Sequence, residues 1–424
     1  MVRGCPSQDK GGGLKIRWRR PAWVQIPPPA PIDSFSIYDL FKYDEGLIEC
    51  LRRVYGKDFN DFLRSLTSPP RRYYIRVNTL RINPGDLLDL LRDKGFRVYV
   101  DEVMEEALYF VVEGPFKVPI VDEFVVVDKF AAESVYLGAN VYAPGVLGLS
   151  SGVRKGCEVN IVSPKGVIVG YGVVVEEPDK VLERGRGILV KTLVSYYKAP
   201  KLHELEEYRL GYFYEQAYPS ILTVRVLNPL PGEVIVDMCA APGGKTTHIV
   251  ELTKGKARVI AFDHSKKKLE KFRDNLRRLG LEEFVEVYRT DSRYLHLDYP
   301  WLKADKVLLD PPCTALGVIP KVHDEKRYID VVNSREYQKQ FIKSGYHILK
   351  PGGILVYSTC TVTIEENEEI IDFARKVGFK VIDVGFENVG SRGLEGYEFS
   401  DLVLRFHPHV HGTTGYFIAL LKKT

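Results

Sequence analysis

Apolar residues along the chain change their spacing in three stages. Between Ser36 and Leu66 they recur every three or four positions (Leu47, Leu51, Val54, Phe59, Phe62, Leu66). That period places them on one face of one or two amphipathic helices. Tyr73 to Val77 then reads as a strand, Asn83-Pro84-Gly85 as a turn, Asp86 to Lys94 as a helix stopped by Gly95, and Phe96 to Val100 as a second strand. The pattern predicts a small α/β region over residues 34–113.

Near Gly114 the texture changes. Val118 to Val127 is strand-like and Phe130 to Gly138 is a short helix ending on glycine. From Val141 to Val194 valine and glycine dominate, with turns at Ala143-Pro144-Gly145, Ser163-Pro164-Lys165-Gly166 and Arg184-Gly185-Arg186-Gly187. Short strands with frequent turns predict an all-β module, a small barrel, over residues 114–200. Pro200 to Glu207 reads as a linker.

After Glu215, fully apolar runs alternate with helical patterns. The expected strands are Val234 to Asp237, Arg258 to Asp263, Val285 to Tyr288, Lys306 to Asp310, Gly353 to Tyr357 and Gly415 to Leu421. The expected helices between them are Thr246 to Leu252, Lys266 to Leu279, Glu336 to Ile348 and Glu366 to Val377. Strands that are apolar throughout are buried on both faces, so this alternation predicts a parallel, doubly wound sheet over residues 201–424. The fold class is therefore α/β: a Rossmann-like domain, an inserted β-barrel and a small N-terminal α/β region.

Residues 1–33 fit none of these periods. Gly11-Gly12-Gly13 and Pro27-Pro28-Pro29 predict disorder, and no apolar run follows the early basic residues as a signal peptide requires. Val24-Gln25-Ile26-Pro27 can be encoded by GTT CAA ATC CC, which resembles the T-arm of a tRNA gene. We expect that the reading frame begins inside such a gene and that the native protein starts further on.

Composition bounds the function without deciding it. A net charge of +4 over 424 residues is mildly basic. Its distribution says more. Arg71, Arg72, Arg76 and Arg81 bracket a tyrosine-rich strand, and Lys266, Lys267, Lys268, Lys271, Arg273, Arg277 and Arg278 share one helix. That helix is either a phosphate-binding face or an ordinary solvated one. No run is long enough to span a membrane. The six cysteines form no CxxC pair, which argues against a disulfide framework or zinc ribbon and for a reduced, cytoplasmic setting. Five glutamines beside abundant Lys, Glu and Tyr lean towards a thermophile.

The chemistry gathers at predicted strand ends. Val234 to Asp237 leads into Met238-Cys239-Ala240-Ala241-Pro242-Gly243-Gly244-Lys245-Thr246. A strand ending in an acid, a small-residue loop and a helix start make a ligand cradle, because glycine admits close approach and the helix N-terminus is electropositive. A P-loop is excluded, since its first glycine falls on Cys239. Asp263, at the second strand end, either accepts from ribose hydroxyls or caps the next helix, and the two roles are compatible. Asp291, at the third, either receives an adenine amino group or is simply a strand-end acid.

The fourth strand ends Asp310-Pro311-Pro312-Cys313 and the fifth Ser358-Thr359-Cys360. Asp-Pro-Pro followed by an aromatic suits methylation of planar amino groups. Here a cysteine follows, which points to covalent chemistry. One cysteine alone is more often a buried hydrophobe; two at neighbouring strand ends beside a ligand loop point to a reactive pair. His407, His409 and His411 alternate as strand residues sharing a face would, but no carboxylate or cysteine flanks them, so no metal is expected.

At these residues the chain resembles the NOP/SUN family of RNA 5-methylcytosine methyltransferases. The matching segments are Arg76 to Arg81, Gly211 to Gln216, Cys239 to Thr246, Asp310 to Cys313, Ser358 to Cys360 and His411 to Ala419. Gly138 to Val146 resembles a PUA domain, a module that binds structured RNA. The resemblance implies S-adenosyl-L-methionine as cofactor, held by Cys239, Ala240, Ala241, Pro242, Gly243, Gly244, Lys245, Asp263, Asp291 and Asp310. It implies Cys360 as nucleophile and Cys313 as the residue that assists release. The inverse assignment, with Cys313 attacking as in DNA cytosine enzymes, is the alternative.

Carbon 5 of cytosine is a poor nucleophile until a thiolate adds at carbon 6. The thiol must therefore ionise readily, and Lys245 or helix dipoles are the expected cause. Asp310 is expected near ring nitrogen 3. A PUA domain ahead of the catalytic domain resembles the branch that methylates tRNA near its 3′ end. Ribosomal RNA is the alternative substrate, and a non-catalytic RNA-binding factor the alternative from another class. Arg154, Lys155 and Lys165 are candidate phosphate contacts. No obligate protein partner is expected.

Overall fold

A computed structural model describes residues 16–18, 27–386 and 388–424. Of the T-arm-like segment Val24 to Pro27, all but Pro27 lies outside the described residues. Residues 27–33 are described, and here the expectation of disorder fails. Ala30 donates its N–H to the Gly166 carbonyl at 3.0 Å, Ala30–Pro31 runs parallel to Val167–Ile168, and Ile32 is buried. A buried isoleucine and a paired backbone hold this stretch, which apolar periodicity cannot register over so few residues.

The N-terminal helices form as their spacing requires. Glu45–Tyr55 is capped by the Asp44 carboxylate accepting from the Leu47 N–H at 2.9 Å, and it buries Leu47, Cys50 and Leu51. Phe59–Ser65 follows and buries Phe59, Phe62 and Leu63. Each such side chain contributes roughly 1.5–3 kcal/mol of burial.

The next region is a four-stranded sheet in the order Phe213–Glu215, Arg72–Val77, Ala107–Val111, Val98–Val100. Pro84–Asp93 packs as the helix, with Pro84 in its first turn where no N–H is needed. The strand Phe213–Glu215 was expected in the catalytic unit starting at residue 201. It pairs antiparallel with Ile75–Val77 instead, so the chain returns to the N-terminal sheet after the β-module. Its three residues are too few to carry a period.

The β-module is an eight-stranded sheet. Its inner order is Val146–Ser150, Phe124–Val127, Glu158–Val162, Val167–Val174, Ile188–Ser195, Val141–Tyr142, with Ile16–Trp18 and Ala30–Pro31 added at its margins. The first strand starts at Phe124, not Val118, because Pro119 has no N–H to give a ladder. Lys129–Tyr136 is the helix that plugs it, burying Ala132, Val135 and Tyr136.

The catalytic-type sheet has nine strands. We label them β1 Val234–Asp237, β2 Arg258–Asp263, β3 Val285–Arg289, β4 Ala304–Leu309, β5 Leu349–Thr359, β6 Phe379–Ile382, β7 Ser391–Arg392, β8 Leu404–Phe406 and β9 Tyr416–Lys423. Their order is β3-β2-β1-β4-β5-β9-β8-β7, with β6 also against β9. The strands β1 to β5 are parallel and β9 is antiparallel to β5. The order reverses between β1 and β4, and ligands of open α/β sheets bind at the carboxyl ends beside such a reversal. The helices are α1 Gly244–Leu252, α2 Lys266–Leu279, α3 Tyr328–Ile348 and α4 Glu368–Val377. The helix α3 begins eight residues before the expected Glu336, its start fixed by Asp330 reaching back to the Arg327 N–H at 2.8 Å.

Candidate active site

The strand ends converge on one cleft of about 210 Å³. Its walls include Met238, Cys239, Ala241, Asp263, Asp291, Asp310, Cys313, Phe341 and Cys360. Five predicted cofactor or catalytic positions besides the two sulfurs therefore share it: Cys239, Ala241, Asp263, Asp291 and Asp310.

The remaining predicted positions shape the loop. Ala240 is buried, and its N–H donates to the Phe262 carbonyl at 2.9 Å. The Pro242 carbonyl accepts from Asn275 Nδ2 at 2.9 Å. Gly243 sits at φ 110°, before α1, and a Cβ there would fall 2.3 Å from the Phe272 ring. Both the backbone and the ring reserve this position for glycine. Gly244 opens α1, and a Cβ on it would lie 2.9 Å from the Tyr214 ring.

The acids are held in distinct ways. Asp237 is buried and accepts from Thr246 Oγ1 at 2.7 Å and the Cys239 N–H at 3.2 Å. Burial pushes its carboxyl up to about 7 despite those bonds. Asp263 accepts from the Ala241 N–H at 3.3 Å and the Ser265 N–H at 2.9 Å. The helix cap proper is Ser265, whose Oγ accepts from the Lys268 N–H. Asp291 is gripped by the Arg293 guanidinium, Nη2 to Oδ2 at 2.5 Å, which lowers its carboxyl below the usual range.

Asp310 is the hub of the cleft. Lys245 Nζ donates to its Oδ2 at 2.6 Å, Ser358 Oγ to its Oδ1 at 2.9 Å and Tyr416 OH to its Oδ1 at 3.3 Å. Burial disfavours the Lys245 charge, but Asp310 and Tyr416 outweigh it and keep the amine protonated. Sequence reasoning missed Ser358 and Tyr416 as site residues, although both lie in quoted motifs. The signal was positional: each sits at the cleft end of a strand adjoining the next, β5 and β9.

The two sulfurs, Cys313 Sγ and Cys360 Sγ, are 3.4 Å apart. Their hydrogen bond splits the pair. Cys360 is drawn below the ordinary thiol value, first by the bond from Cys313 and with help from Lys245 and Lys321, against the cost of burial. Cys313 is pushed well up by the same bond and by burial. The expected agent was Lys245 or a helix dipole; the partner thiol is the larger influence, because Asp310 neutralises Lys245. Cys239 is a third thiol in the cleft, and burial pushes it far up, which leaves it un-ionised.

The histidines do not alternate on a strand. His407 caps the helical turn Pro408–His411, its N–H donates to His411 Nδ1 at 2.9 Å, and its ring stacks with that of His411. Pro408 forces the turn. Among the described residues no group of three or more His, Cys, Asp or Glu side chains could hold a metal.

Of the candidate phosphate contacts, Arg154 and Lys155 are exposed. Lys165 is half-buried and lies 3.6 Å from Glu325. On α2, Leu269, Phe272, Leu276 and Leu279 are buried, and Lys266, Lys267, Lys268 and Lys271 face solvent.

Known proteins share this arrangement. A family described as 16S rRNA methyltransferase RsmB/F matches residues 224–422, a PUA domain matches 123–194, and a RsmF/B-like ferredoxin-like domain matches 43–118. A tRNA (cytosine(72)-C(5))-methyltransferase of Pyrococcus horikoshii is 42% identical over 90% of this chain and 97% of its own. The chain belongs to the NOP/SUN family of RNA cytosine-5 methyltransferases. The human tRNA (cytosine(72)-C(5))-methyltransferase NSUN6 is 30% identical over 75% of each chain. The crystal structure of NSun6 from Pyrococcus horikoshii with SFG superposes with a TM-score of 0.84 at 42% identity, covering 91% of this chain and 99% of that one. As a member of the NOP/SUN family the chain is an RNA-modifying enzyme with an RNA-binding PUA domain. Among the described residues no helix is long and apolar enough to cross a membrane.

Proposed function

We propose that this NOP/SUN enzyme transfers a methyl group from S-adenosyl-L-methionine to carbon 5 of a cytosine in tRNA, near the acceptor end. The observation that carries the reading is the 3.4 Å approach of Cys313 and Cys360 in the wall of a cleft shared with Asp263, Asp291 and Asp310. The lining suits the cofactor. Asp263, at the end of β2, is where a ribose diol is held in doubly wound folds. Met238 and Phe341 supply apolar walls. Asp291 presents its acid already paired to Arg293, so Ser292 and Thr290 beside it complete the adenine end of the site. The loop from Cys239 to Lys245 supplies the wall at the switch point. When bound, the cofactor supplies an electrophilic methyl group.

The protein's own residues do the rest. Cys360, the sulfur more readily ionised, adds to carbon 6 of the cytosine and makes carbon 5 electron-rich. Asp310, fixed as a carboxylate by Lys245, Ser358 and Tyr416, faces ring nitrogen 3 and accepts a hydrogen bond from the proton that nitrogen takes up as Cys313 releases its own. Cys313, the protonated thiol at rest, gives up its proton to ring nitrogen 3 as Cys360 adds. The thiolate so formed takes the proton from carbon 5 after transfer, the carbon–sulfur bond to Cys360 breaks with its electrons returning to that sulfur, and the nitrogen proton leaves to solvent. Both sulfurs are part-buried in the cleft wall, within reach of a ring placed there. Cys50, Cys239, Cys313 and Cys360 are free thiols, which accords with a reducing, cytoplasmic setting.

Ribosomal RNA is the second reading, supported by the RsmB/F description. It is weaker, because the human 28S rRNA (cytosine(4447)-C(5))-methyltransferase aligns with 54% of this chain and 30% of its own. Bisulfite sequencing of tRNA and ribosomal RNA incubated with enzyme and cofactor separates the two. We expect one protected cytosine in the acceptor stem of tRNA. Protection confined to ribosomal RNA overturns the tRNA reading.

A further inference from the structure

Four consecutive polar residues, Glu365, Glu366, Asn367 and Glu368, are almost completely buried just before and at the start of α4. Each ties a different part of the molecule. Glu365 accepts from Tyr328 OH at 3.3 Å and also pairs with Arg53 of the N-terminal helices. Asn367 Oδ1 accepts from Thr359 Oγ1 at 2.6 Å, at the end of β5. Glu368 accepts from Arg405 Nε at 2.6 Å, in β8.

Glu366 does something more specific. One carboxylate oxygen accepts from the Thr314 N–H at 2.9 Å and from Gln338 Nε2 at 3.2 Å. The other accepts from Thr314 Oγ1 at 2.5 Å, Thr361 Oγ1 at 3.3 Å and Thr363 Oγ1 at 3.1 Å. Thr314 and Thr361 also touch each other at 2.8 Å. Thr314 is the residue after Cys313, and Thr361 the residue after Cys360. Gln338 donates in addition to the Pro312 carbonyl at 3.0 Å, on the other side of Cys313. One carboxylate therefore clamps both cysteine-bearing loops from beneath.

We propose that Glu366 is the positioning residue that sets the spacing of the two reactive sulfurs, acting through Thr314 and Thr361. It touches neither sulfur. The two loops follow the adjacent strands β4 and β5, and the Gly317 N–H donating to the Cys360 carbonyl at 3.0 Å is a further tie between them. Burial favours the protonated form of Glu366, and the threonine donors oppose that by favouring the carboxylate. A carboxylate accepts on both oxygens; an amide could keep its oxygen on the Thr314 N–H only by turning its NH2 on the threonine hydroxyls, which would then have to reverse from donating to accepting. The inference rests on the reading that Cys360 attacks while Cys313 stays protonated.

The test uses full-length Glu366→Gln, Thr314→Val and Thr361→Val with two readouts. The first is kcat and KM for tRNA methylation against pH. The second is the pH dependence of iodoacetamide alkylation at Cys360, followed by mass spectrometry, which needs no RNA. Loosening the clamp weakens the Cys313 bond to Cys360. We expect kcat to fall about 10- to 100-fold with KM for tRNA little changed. The alkylation midpoint should move up by about one pH unit. The valine variants should shift the same way by smaller amounts, and they decide the matter if Glu366→Gln does not fold. Wild-type kcat and an unmoved alkylation midpoint in both folded valine variants would overturn the proposal. So would a Glu366→Gln enzyme with an unmoved midpoint. Absence of tRNA methylation by the wild type indicts the functional reading instead, and alkylation still judges the clamp.

Discussion

Arg76 of the N-terminal sheet is fully buried, and its Nε donates to Glu251 at 2.8 Å, in the helix that follows the cofactor loop. Its Nη2 also donates to Thr247 Oγ1 and to the second Glu251 oxygen, each at 2.8 Å. A planar fork meets a carboxylate across a domain boundary, which lysine cannot reproduce. Arg76→Met strands Glu251 in an apolar setting and should cost about 3–5 kcal/mol in urea unfolding. Adding Glu251→Leu should recover most of that loss. A single variant as stable as wild type would show that the pair contributes nothing.

The roles of the two cysteines separate in a gel. Cys313→Ala leaves Cys360 able to attack but removes the base, so a denaturation-resistant protein–RNA adduct should accumulate. Cys360→Ala should form none. An adduct with Cys360→Ala and none with Cys313→Ala would make Cys313 the nucleophile.

Buried histidines and buried carboxyls oppose each other as pH falls. Burial lowers His248 and His323 to about 4 and His407 to about 3. A base whose folded value lies below its unfolded value of about 6.5 favours folding above that value and loses its contribution as pH falls through the folded value. Asp237, Glu133 and Glu251, each raised by burial to about 7, act in the opposite sense over the same range. The two sets offset, so the thermal stability of the wild type should change little between pH 6.5 and 4. His323→Gln, at a ring whose Nδ1 has no partner, removes one of the histidines, and its stability should rise relative to wild type as pH falls over this range. Melting curves of variant and wild type that run parallel would exclude His323 from that balance.

Phosphate contacts are read through salt. Arg154→Ala with Lys155→Ala should raise KM for tRNA and reduce the slope of log affinity against log salt by one to two units, with cofactor affinity unchanged. Equal salt slopes in variant and wild type would remove both residues from the RNA path.

The strand-end chemistry was legible because it depends on local order. Asp237, Asp263, Asp310, Cys313 and Cys360 each follow an apolar run, and a parallel sheet brings all such ends to one edge. The partners that tune them were not legible. Tyr416 reaches Asp310 from β9, more than a hundred residues away in sequence, and Glu366 was read as the start of an ordinary amphipathic helix. Nothing in spacing distinguishes a glutamate that meets solvent from one that accepts five bonds inside the protein. The two-residue strand at Ala30 and the three-residue strand at Phe213 were hidden for a different reason. They are defined by what they pair with, and a run that short has no period of its own.

Glu113 and Lys198 exchange backbone hydrogen bonds at 3.2 and 2.9 Å, so the segment between them leaves the N-terminal sheet and returns to it side by side. Seen from the ribosome, that return orders assembly. The strand at Phe213, which completes the N-terminal sheet, emerges only after the whole module has been made. The module, with the earlier Ile16–Trp18 and Ala30–Pro31 strands already made, can fold first and hold the two ends of the gap together, which spares the later sheet most of the entropy of closing so long a loop. The same geometry makes the module a natural point of excision: a short turn joining residue 113 to residue 198 would spare both halves of the sheet it interrupts.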